Sequence, residues 1–357
     1  MPTALFYVSS HGYGHAVRAA QVMDALIERG FAITARTMAP AWLFPKGVNV
    51  EAADVDAGLV QRDCLAADLP ASLEAFIKRR DQAPAEVERE LGAMARIRPG
   101  LIVCDIAPLG VRVARRAGIP SVVVANFLWD WILRAHANRD ARFGEMADEL
   151  RGVYLTAGDI LRTPLSGGFE PYPNTTPIPL IARAAPRSRA QARALLGLPQ
   201  DRPLALVSMG GAGHAPFIAG LPARVKRFDL LFTGDVTRHD GTTWTFSRAQ
   251  AAHHDLLAAC DLVIGKMGYG LCADLIATKR GLLYTARDDF IEFSVLEAQT
   301  RQFTGARKLP APEFFDGPLD GHLQGLLAAA HPAATAPING AQVAADIMAR
   351  RARGIGR

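Results

Sequence analysis

The sequence has 357 residues, of which 50% are hydrophobic, and a formal net charge of +5. Because single hydrophobic cores stop growing at about 250 to 300 residues, a chain of this length is expected to form two domains. No apolar run approaches the roughly 20 residues of a membrane span, and the four cysteines include no CxxC pair, which excludes a transmembrane segment, a disulfide framework and a zinc site. A soluble cytoplasmic protein is expected. Part of the positive charge lies in the C-terminal RRARGIGR, typical of a solvated tail, so nucleic acid is not expected as a partner.

Strands alternate with helices in the first half of the chain. Apolar, β-branched runs predict strands at 3–10, 31–37, 100–106 and 120–126. Helical periodicity predicts helices at 15–29, 69–97 and 108–117. Such alternation is typical of a parallel sheet covered by helices on both faces.

A break at 164–189, rich in Pro, Gly, Asn and Arg, is the best linker in the sequence. After it the alternation resumes, with strands predicted at 204–209, 229–234, 261–265 and 281–286 and helices near 249–259, 270–279 and 291–303. The sequence therefore predicts an α/β protein with two doubly wound, Rossmann-like domains, at 1–170 and 190–335.

The turn after the first strand reads SSHGYGHAVR and contains Gly12, Gly14, His15 and Arg18. It has no third glycine of a GxGxxG fingerprint and no well-placed acidic residue after it, so a dinucleotide site is not expected there. Its glycines allow a ligand to approach the backbone, and a helix start keeps His15 neutral, in the form that can act as a base. Alternatively, His15 caps the helix or bonds to a neighbouring carbonyl, which is also the interpretation for His11.

Two further glycine loops follow strands of the second half. Glycines at a strand end before a helix turn backbone N–H groups toward phosphate oxygens, whereas the alternative is a tight turn only. The residues of these loops that are predicted to contact phosphate are Ser208, Gly210, Gly211, Gly213, Gly268, Tyr269 and Gly270. Asp274, one helical turn further on, can accept hydrogen bonds from ribose hydroxyls. Asp289 and Glu292 suit sugar hydroxyls or, alternatively, form the solvated acidic start of a helix.

Together, SSHGYGHAVR and DLVIGKMGYGLCADLIATKRGLLYTARDDF resemble the GT-B glycosyltransferase superfamily, in particular the glycosyltransferase-like N-terminal domain of plant L-arabinokinases. The stretch CDIAPLGVRVARRAGIPSVVVANFLWDWI is similar to the same family. The resemblance covers most of the chain but includes no kinase domain. It implies an N-terminal acceptor domain, a C-terminal donor domain, a cleft between them, and a last helix within 336–357 that packs back on the first domain.

The resemblance also implies residue roles. It places His15 as the base of a metal-independent, inverting glycosyltransferase that needs no cofactor and uses a nucleotide sugar, UDP-linked, as donor. It assigns the two glycine loops to the donor diphosphate, and Asp274, Asp289 and Glu292 to the donor ribose and sugar. Asp274 stands where many relatives have glutamate, and the Asp-Gln pair of many relatives is absent. The residues on the acceptor side are Gly12, Gly14, Arg18, Asp105, Asn126 and Trp129.

Two other functions fit the same sequence. Gly12-x-Gly14-His15-x-x-Arg18 also resembles a nucleotide-sugar hydrolase of the same fold, in which the histidine would activate water. A non-catalytic module that binds sugar nucleotides fits the missing Asp-Gln pair. Aromatic residues such as Phe127 and Trp129 would stack on an acceptor, or would only pack in the core. The donor base and sugar, the acceptor and the oligomeric state are left open.

Overall fold

The structure is a computed structural model that describes residues 1–63, 65–210, 214–287 and 289–354. Two seven-stranded sheets account for the strands in these ranges. The first sheet contains β1 (Thr3–Val8), β2 (Ala32–Thr37), β3 (Asn49–Ala52), β4 (Leu101–Asp105), β5 (Ser121–Ala125), β6 (Asp159–Arg162) and β7 (Thr175–Pro177). Its strand order is β3-β2-β1-β4-β5-β6-β7, and every neighbouring pair is parallel.

The second sheet has the order β10-β11-β9-β8-β12-β13-β14. Its strands are β8 (Leu204–Ser208), β9 (Asp229–Gly234), β10 (Arg238–Asp240), β11 (Thr243–Ser247), β12 (Leu262–Gly265), β13 (Gly281–Thr285) and β14 (Ala306–Leu309). The short edge pair β10–β11 is antiparallel, and the other pairs are parallel. The predicted fold class, two doubly wound Rossmann-like α/β units, is confirmed.

Helices connect the strands in both units. Those of the first unit are α1 (Tyr13–Ile27), α2 (Leu69–Ile97), α3 (Pro108–Ala117), α4 (Trp129–Arg134) and α5 (Ala141–Tyr154). Those that follow are α6 (Arg189–Leu196), α7 (Ala215–Arg224), α8 (His253–Ala259), α9 (Tyr269–Thr278), α10 (Glu292–Thr300), α11 (Ala311–Asp316), α12 (Asp320–Ala328) and α13 (Gly340–Ala352). No helix in the described ranges is both long enough and apolar enough to cross a bilayer.

Local sequence signals set several helix ends. The Asp68 side chain caps α2 by accepting from the Ala71 N–H at 3.0 Å. The helix α3 begins at Pro108 and ends before Gly118, whose left-handed conformation (φ 66°) lets the backbone leave the helix. A capping box between Ser188 and Gln191 begins α6 directly after the predicted linker. These local signals therefore set where the helices that connect the strands begin and end.

The last helix returns to the first unit. In α13, Ala344, Ala345 and Met348 are fully buried in the apolar layer that also contains Ala16 and Ala19 of α1. Arg351 near its end donates from Nε to Asp159 Oδ2 at 2.5 Å. The first sheet continues to β7, past residue 170, and the predicted domain limits stay predictions.

Candidate functional site

One large cavity lies where the carboxyl ends of the two sheets face each other. Its volume is about 1560 Å³, and residues of both units line it. In doubly wound sheets, ligands bind at the carboxyl ends of the strands because the connecting loops gather there. This cavity is called the cleft below.

A buried charge cluster lies beside the cleft at the ends of β1 and β4; His15, Arg18 and Asn126 of this cluster line the cleft, and Asp105 lies behind them. His15 Nδ1 lies 2.6 Å from Oδ1 of Asp105. Arg18, one turn further along α1, binds the same carboxylate through two nitrogens, with Nη2 2.8 Å from Oδ1 and Nε 2.9 Å from Oδ2. Arg18 Nη1 also donates to Asn126 Oδ1 at 2.6 Å. Three elements, α1, β4 and the end of β5, therefore hold these side chains in one network.

The network fixes the tautomer of His15. An ionised carboxylate only accepts hydrogen bonds, so the ring proton lies on Nδ1 and the lone pair on Nε2. Burial opposes the charge on Asp105, but Arg18 and His15 outweigh it and hold the pKa of that carboxyl below its ordinary value. Because His15 lines the cleft, Nε2 is the ring nitrogen that its contact with Asp105 leaves available to a ligand there.

The starts of α1 and α9 meet across the cleft. A β-carbon at Gly270 would lie 3.5 Å from Cα of Gly14, which is an ordinary van der Waals contact, so the two helix starts lie side by side. Tyr269, the first residue of α9, places its ring 4.9 Å from the Arg18 guanidinium carbon. Gly12 is the N-cap of α1 and also lines the cleft. Two positive helix ends thus point into one space, which favours an anion.

The predicted phosphate loops border that space. Ser208, Gly210, Gly268, Tyr269 and Gly270 all line the cleft, whereas Gly211 and Gly213 lie outside the described residues. Gly210 has a φ of 79°, and a β-carbon there would come within 3.2 Å of the Lys266 ammonium nitrogen. Lys266, which was not among the predicted site residues, therefore brings a cation to the phosphate loop.

The residues predicted for ribose and sugar take different places. Asp274 and Glu292 line the cleft. Arg287, also in its wall, lies 3.5 Å from Glu292 Oε1 through Nη1. Asp289 is not part of that wall, and its carboxylate accepts from Arg139 Nη1 of the first unit at 3.1 Å. The predicted role of Asp289 in sugar binding stays a prediction, and the ion pair gives it another partner.

Trp129, predicted to lie on the acceptor side, is buried and offers almost no exposed surface for stacking. Trp129 is only 1% exposed, and its indole N–H donates to Asp56 Oδ2 at 2.8 Å. Its ring meets His11 edge-on at 5.8 Å. Burial and the neighbouring His15, Lys266 and Arg287 lower the pKa of His11 to about 3, so His11 is neutral. Core packing thus accounts for most of the Trp129 surface.

Comparisons with known proteins agree on the architecture. No family model matches the chain. The calicheamicin glycosyltransferase CalG4 superposes with a TM-score of 0.61 over 99% of this chain and 94% of that one, at 14% identity. The glycosyltransferase SnogD from Streptomyces nogalater gives 0.56, covering 99% and 95%, at 17% identity. A Phytolacca americana enzyme, UGT2 complexed with UDP-2fluoro-glucose and pterostilbene, gives 0.58, covering 99% and 94%, at 13% identity.

The chain has the GT-B glycosyltransferase fold. By sequence it is 26% identical over 363 residues to the L-arabinokinase of Arabidopsis thaliana, an alignment that covers 98% of this chain. The chain spans about a third of the length of that relative, 34%. Both resemblances predicted from the motifs, to the GT-B superfamily and to L-arabinokinases, are confirmed by these matches.

In this GT-B cleft, sequence reasoning missed several wall residues. Lys266 lies between the end of β12 and the glycines that begin α9. A lysine at the carboxyl end of a predicted strand was the sequence signal that could have identified it. Trp42 and Arg248 also line the cleft from loops that lack glycine motifs. Neither the composition nor the periodicity of those loops points to a ligand.

Asp274 gives the GT-B cleft a measurable pH dependence. Burial raises the pKa of this carboxyl to about 6, despite the opposing charge of Arg183. The folded chain therefore holds a proton that the unfolded chain releases between about pH 4 and 6, so this group lowers stability as the pH rises through that window. We expect Asp274→Asn to raise the melting temperature at pH 7.5 relative to the unmodified chain, and to raise it least at pH 4.

Thermal unfolding at pH 4, 6 and 7.5 checks this expectation. The matched control is Asp201→Asn, which neutralises an exposed carboxylate and should shift the melting temperature little at any of the three pH values. A pH-independent effect of Asp274→Asn would contradict the shifted pKa.

Proposed function

We propose that this chain is an inverting glycosyltransferase that moves a sugar from a UDP-linked donor to a hydroxyl group of an acceptor, with His15 as the base and without a metal ion. The observation that carries the proposal is the 2.6 Å contact between Asp105 Oδ1 and Nδ1 of His15, which lines the cleft. It leaves Nε2 as the proton acceptor. The complex of the Phytolacca enzyme with UDP-2fluoro-glucose supports the donor class.

The proposed step is a single displacement. The acceptor hydroxyl loses its proton to His15 Nε2, and its oxygen forms a bond to the anomeric carbon of the donor sugar. The bond from that carbon to the diphosphate oxygen breaks, and its electron pair leaves with the nucleoside diphosphate. Attack opposite the leaving group inverts the configuration. General-base assistance of this kind is worth roughly 10² to 10⁴ in rate.

Asp105 and Arg18 would support the base. The carboxylate orients the imidazole and stabilises the imidazolium that forms, as a carboxylate does in other histidine bases. Arg18 is 2% exposed and keeps Asp105 ionised in a buried place. Asn126 helps to hold Arg18 in place, because its Oδ1 accepts from Arg18 Nη1 at 2.6 Å.

The leaving group needs positive charge, which this chain supplies. Lys266 and the N-terminus of α9 border the Gly210 loop, and Arg287 lies further along the same wall. Preorganised cations and helix ends stabilise charge that develops on a departing diphosphate. These groups support the proposal that the transfer needs no metal.

Nucleotide binding tests the donor class. A ligand at about 100 times its dissociation constant adds roughly 2.7 kcal/mol to the native state. We expect UDP to raise the melting temperature, and NAD to leave it unchanged because the Gly12–Gly14 turn is no dinucleotide site. A shift with NAD and none with UDP would contradict the donor assignment.

Donor turnover separates the three candidate functions. A transferase consumes UDP-sugar only when an acceptor is present, whereas a hydrolase consumes it at the full rate in water alone. A binding module shows the thermal shift and no turnover with any acceptor. We expect acceptor-dependent release of UDP, measured by a coupled assay.

A further inference from the structure

Arg18 is bound within the first unit along the edge of its guanidinium. Nε and Nη2 donate to Asp105, and Nη1 donates to Asn126. The N–H groups of a guanidinium all lie in one plane, so these bonds leave its faces for other neighbours. Arg18 also lines the cleft, where water would otherwise reach the ion pair with Asp105.

The second unit contributes an aromatic ring that packs on the same guanidinium. The Arg18 guanidinium carbon lies over the ring of Tyr269, 4.9 Å from its centroid. Tyr269 is 9% exposed, and Arg18 is 2% exposed although it lines the cleft. An aromatic ring attracts a cation, and the attraction grows when both groups are shielded from water. The ring therefore holds the guanidinium and helps to keep water from its pair with Asp105.

The close approach of the two helix starts makes this contact possible. A β-carbon at Gly14 would lie 3.9 Å from the backbone nitrogen of Gly270. His15 follows Gly14 directly, and Tyr269 directly precedes Gly270. Arg18 Nη2 lies 3.3 Å from His15 Nδ1, so the base of the first unit and the ring of the second unit contact one arginine.

We propose that Tyr269 is a positioning residue for the base: its ring holds Arg18 on Asp105, and Asp105 in turn keeps the proton of His15 on Nδ1. The inference rests on the proposed function. It gives the side chain of Tyr269 a role apart from the phosphate contact predicted for its loop, because that contact uses backbone N–H groups. The second unit thus supplies a residue that the base of the first unit needs.

The test compares Tyr269→Leu, which removes the ring, with Tyr269→Phe, which keeps it. The measurements are the melting temperature, UDP affinity by calorimetry, and kcat with the UDP-sugar and acceptor that the unmodified chain turns over. Tyr269→Leu should lower kcat per folded molecule roughly 5- to 30-fold, the worth of a shielded contact between a cation and a ring. UDP affinity should be kept in both variants, and Tyr269→Phe should keep most of kcat.

The tautomer of His15 is measured without turnover. In the chain labelled with nitrogen-15 histidine, the NMR signals of the two ring nitrogens show which one carries the proton, and His15→Ala assigns them. The proton should lie on Nδ1 in the unmodified chain and in Tyr269→Phe, and should be shared between Nδ1 and Nε2 in Tyr269→Leu. Arg18→Lys, which keeps the charge but loses the paired N–H groups, should change the His15 signals in the same way.

The matched control is Phe217→Leu. Phe217 is 3% exposed, and the Arg224 guanidinium carbon lies over its ring at 5.5 Å, but neither residue lines the cleft. This variant should lose stability and keep both kcat per folded molecule and the His15 signals.

An unchanged His15 tautomer in Tyr269→Leu or in Arg18→Lys overturns the inference and leaves the proposed function standing. A loss confined to UDP affinity also overturns it, because the ring would then serve the donor. Equal losses of kcat in Tyr269→Phe and Tyr269→Leu overturn the role of the ring. If the unmodified chain turns over no UDP-sugar, the proposed function falls, and the tautomer alone decides whether Tyr269 positions His15.

Discussion

Replacing His15 with alanine is expected to lower acceptor-dependent turnover of the donor by roughly 10²- to 10⁴-fold, the contribution of a general base. Some stability should be lost as well, because the ring is 8% exposed and its hydrogen bond to Asp105 disappears, so turnover is expressed per folded molecule. UDP affinity should stay near that of the unmodified chain, because the phosphate loops belong to the second unit. Turnover, melting temperature and UDP affinity are measured on one preparation.

The matched control is His136→Ala. His136 is 5% exposed and packs on Phe143 at 5.6 Å, but it is not part of the cleft wall. It should lose stability without losing turnover per folded molecule. A His15→Ala variant that turns donor over at the unmodified rate would show that His15 is not the base.

The strands that carry the cleft could be predicted because their apolar runs are long and buried on both faces. The predicted helices at 69–97 and 108–117 agree with α2 and α3. The strands that were missed include β3 (Asn49–Ala52), β10 (Arg238–Asp240) and β14 (Ala306–Leu309), which are polar or charged. Edge and near-edge strands need less apolar surface, so their sequences lack the pattern that predicts a strand.

Individual residues of the site could be predicted from the sequence, but the contacts between them could not. Glycines after strands pointed to the phosphate loops, and the Gly-His pair pointed to His15. The contact of His15 with Asp105 joins residues 90 positions apart, and Arg18 reaches Asn126 over 108 positions. Such pairs depend on which strands lie side by side. The cross-cleft partners of Tyr269 and Asp289 depend further on how the two units face each other.

Asp105→Asn is expected to have the second large effect, on both turnover and stability. Asp105 is 1% exposed, and its loss leaves the Arg18 charge buried without its carboxylate, which typically costs about 3 to 5 kcal/mol. The asparagine side chain can also reverse the His15 tautomer by donating to Nδ1. We therefore expect turnover per folded molecule to fall by orders of magnitude, as it does when other histidine bases lose their carboxylate.

The pH dependence of stability shows whether Asp105 stabilises the chain through its charge or only through packing. Since the pKa of Asp105 is lowered in the folded chain, its contribution is present above the ordinary aspartate pKa, about 4, and is lost as the pH falls through the folded value. The melting temperatures of the variant and the unmodified chain should therefore converge in acid.

Asp261→Asn is the matched control for this prediction. Asp261 makes an equivalent buried pair in the second unit, accepting from Arg193 Nη2 at 2.6 Å, and it does not line the cleft. It should destabilise the chain to a similar degree while turnover per folded molecule is kept. Equal turnover in both variants would mean that Asp105 only stabilises the fold, and that His15 needs no carboxylate to act on the acceptor.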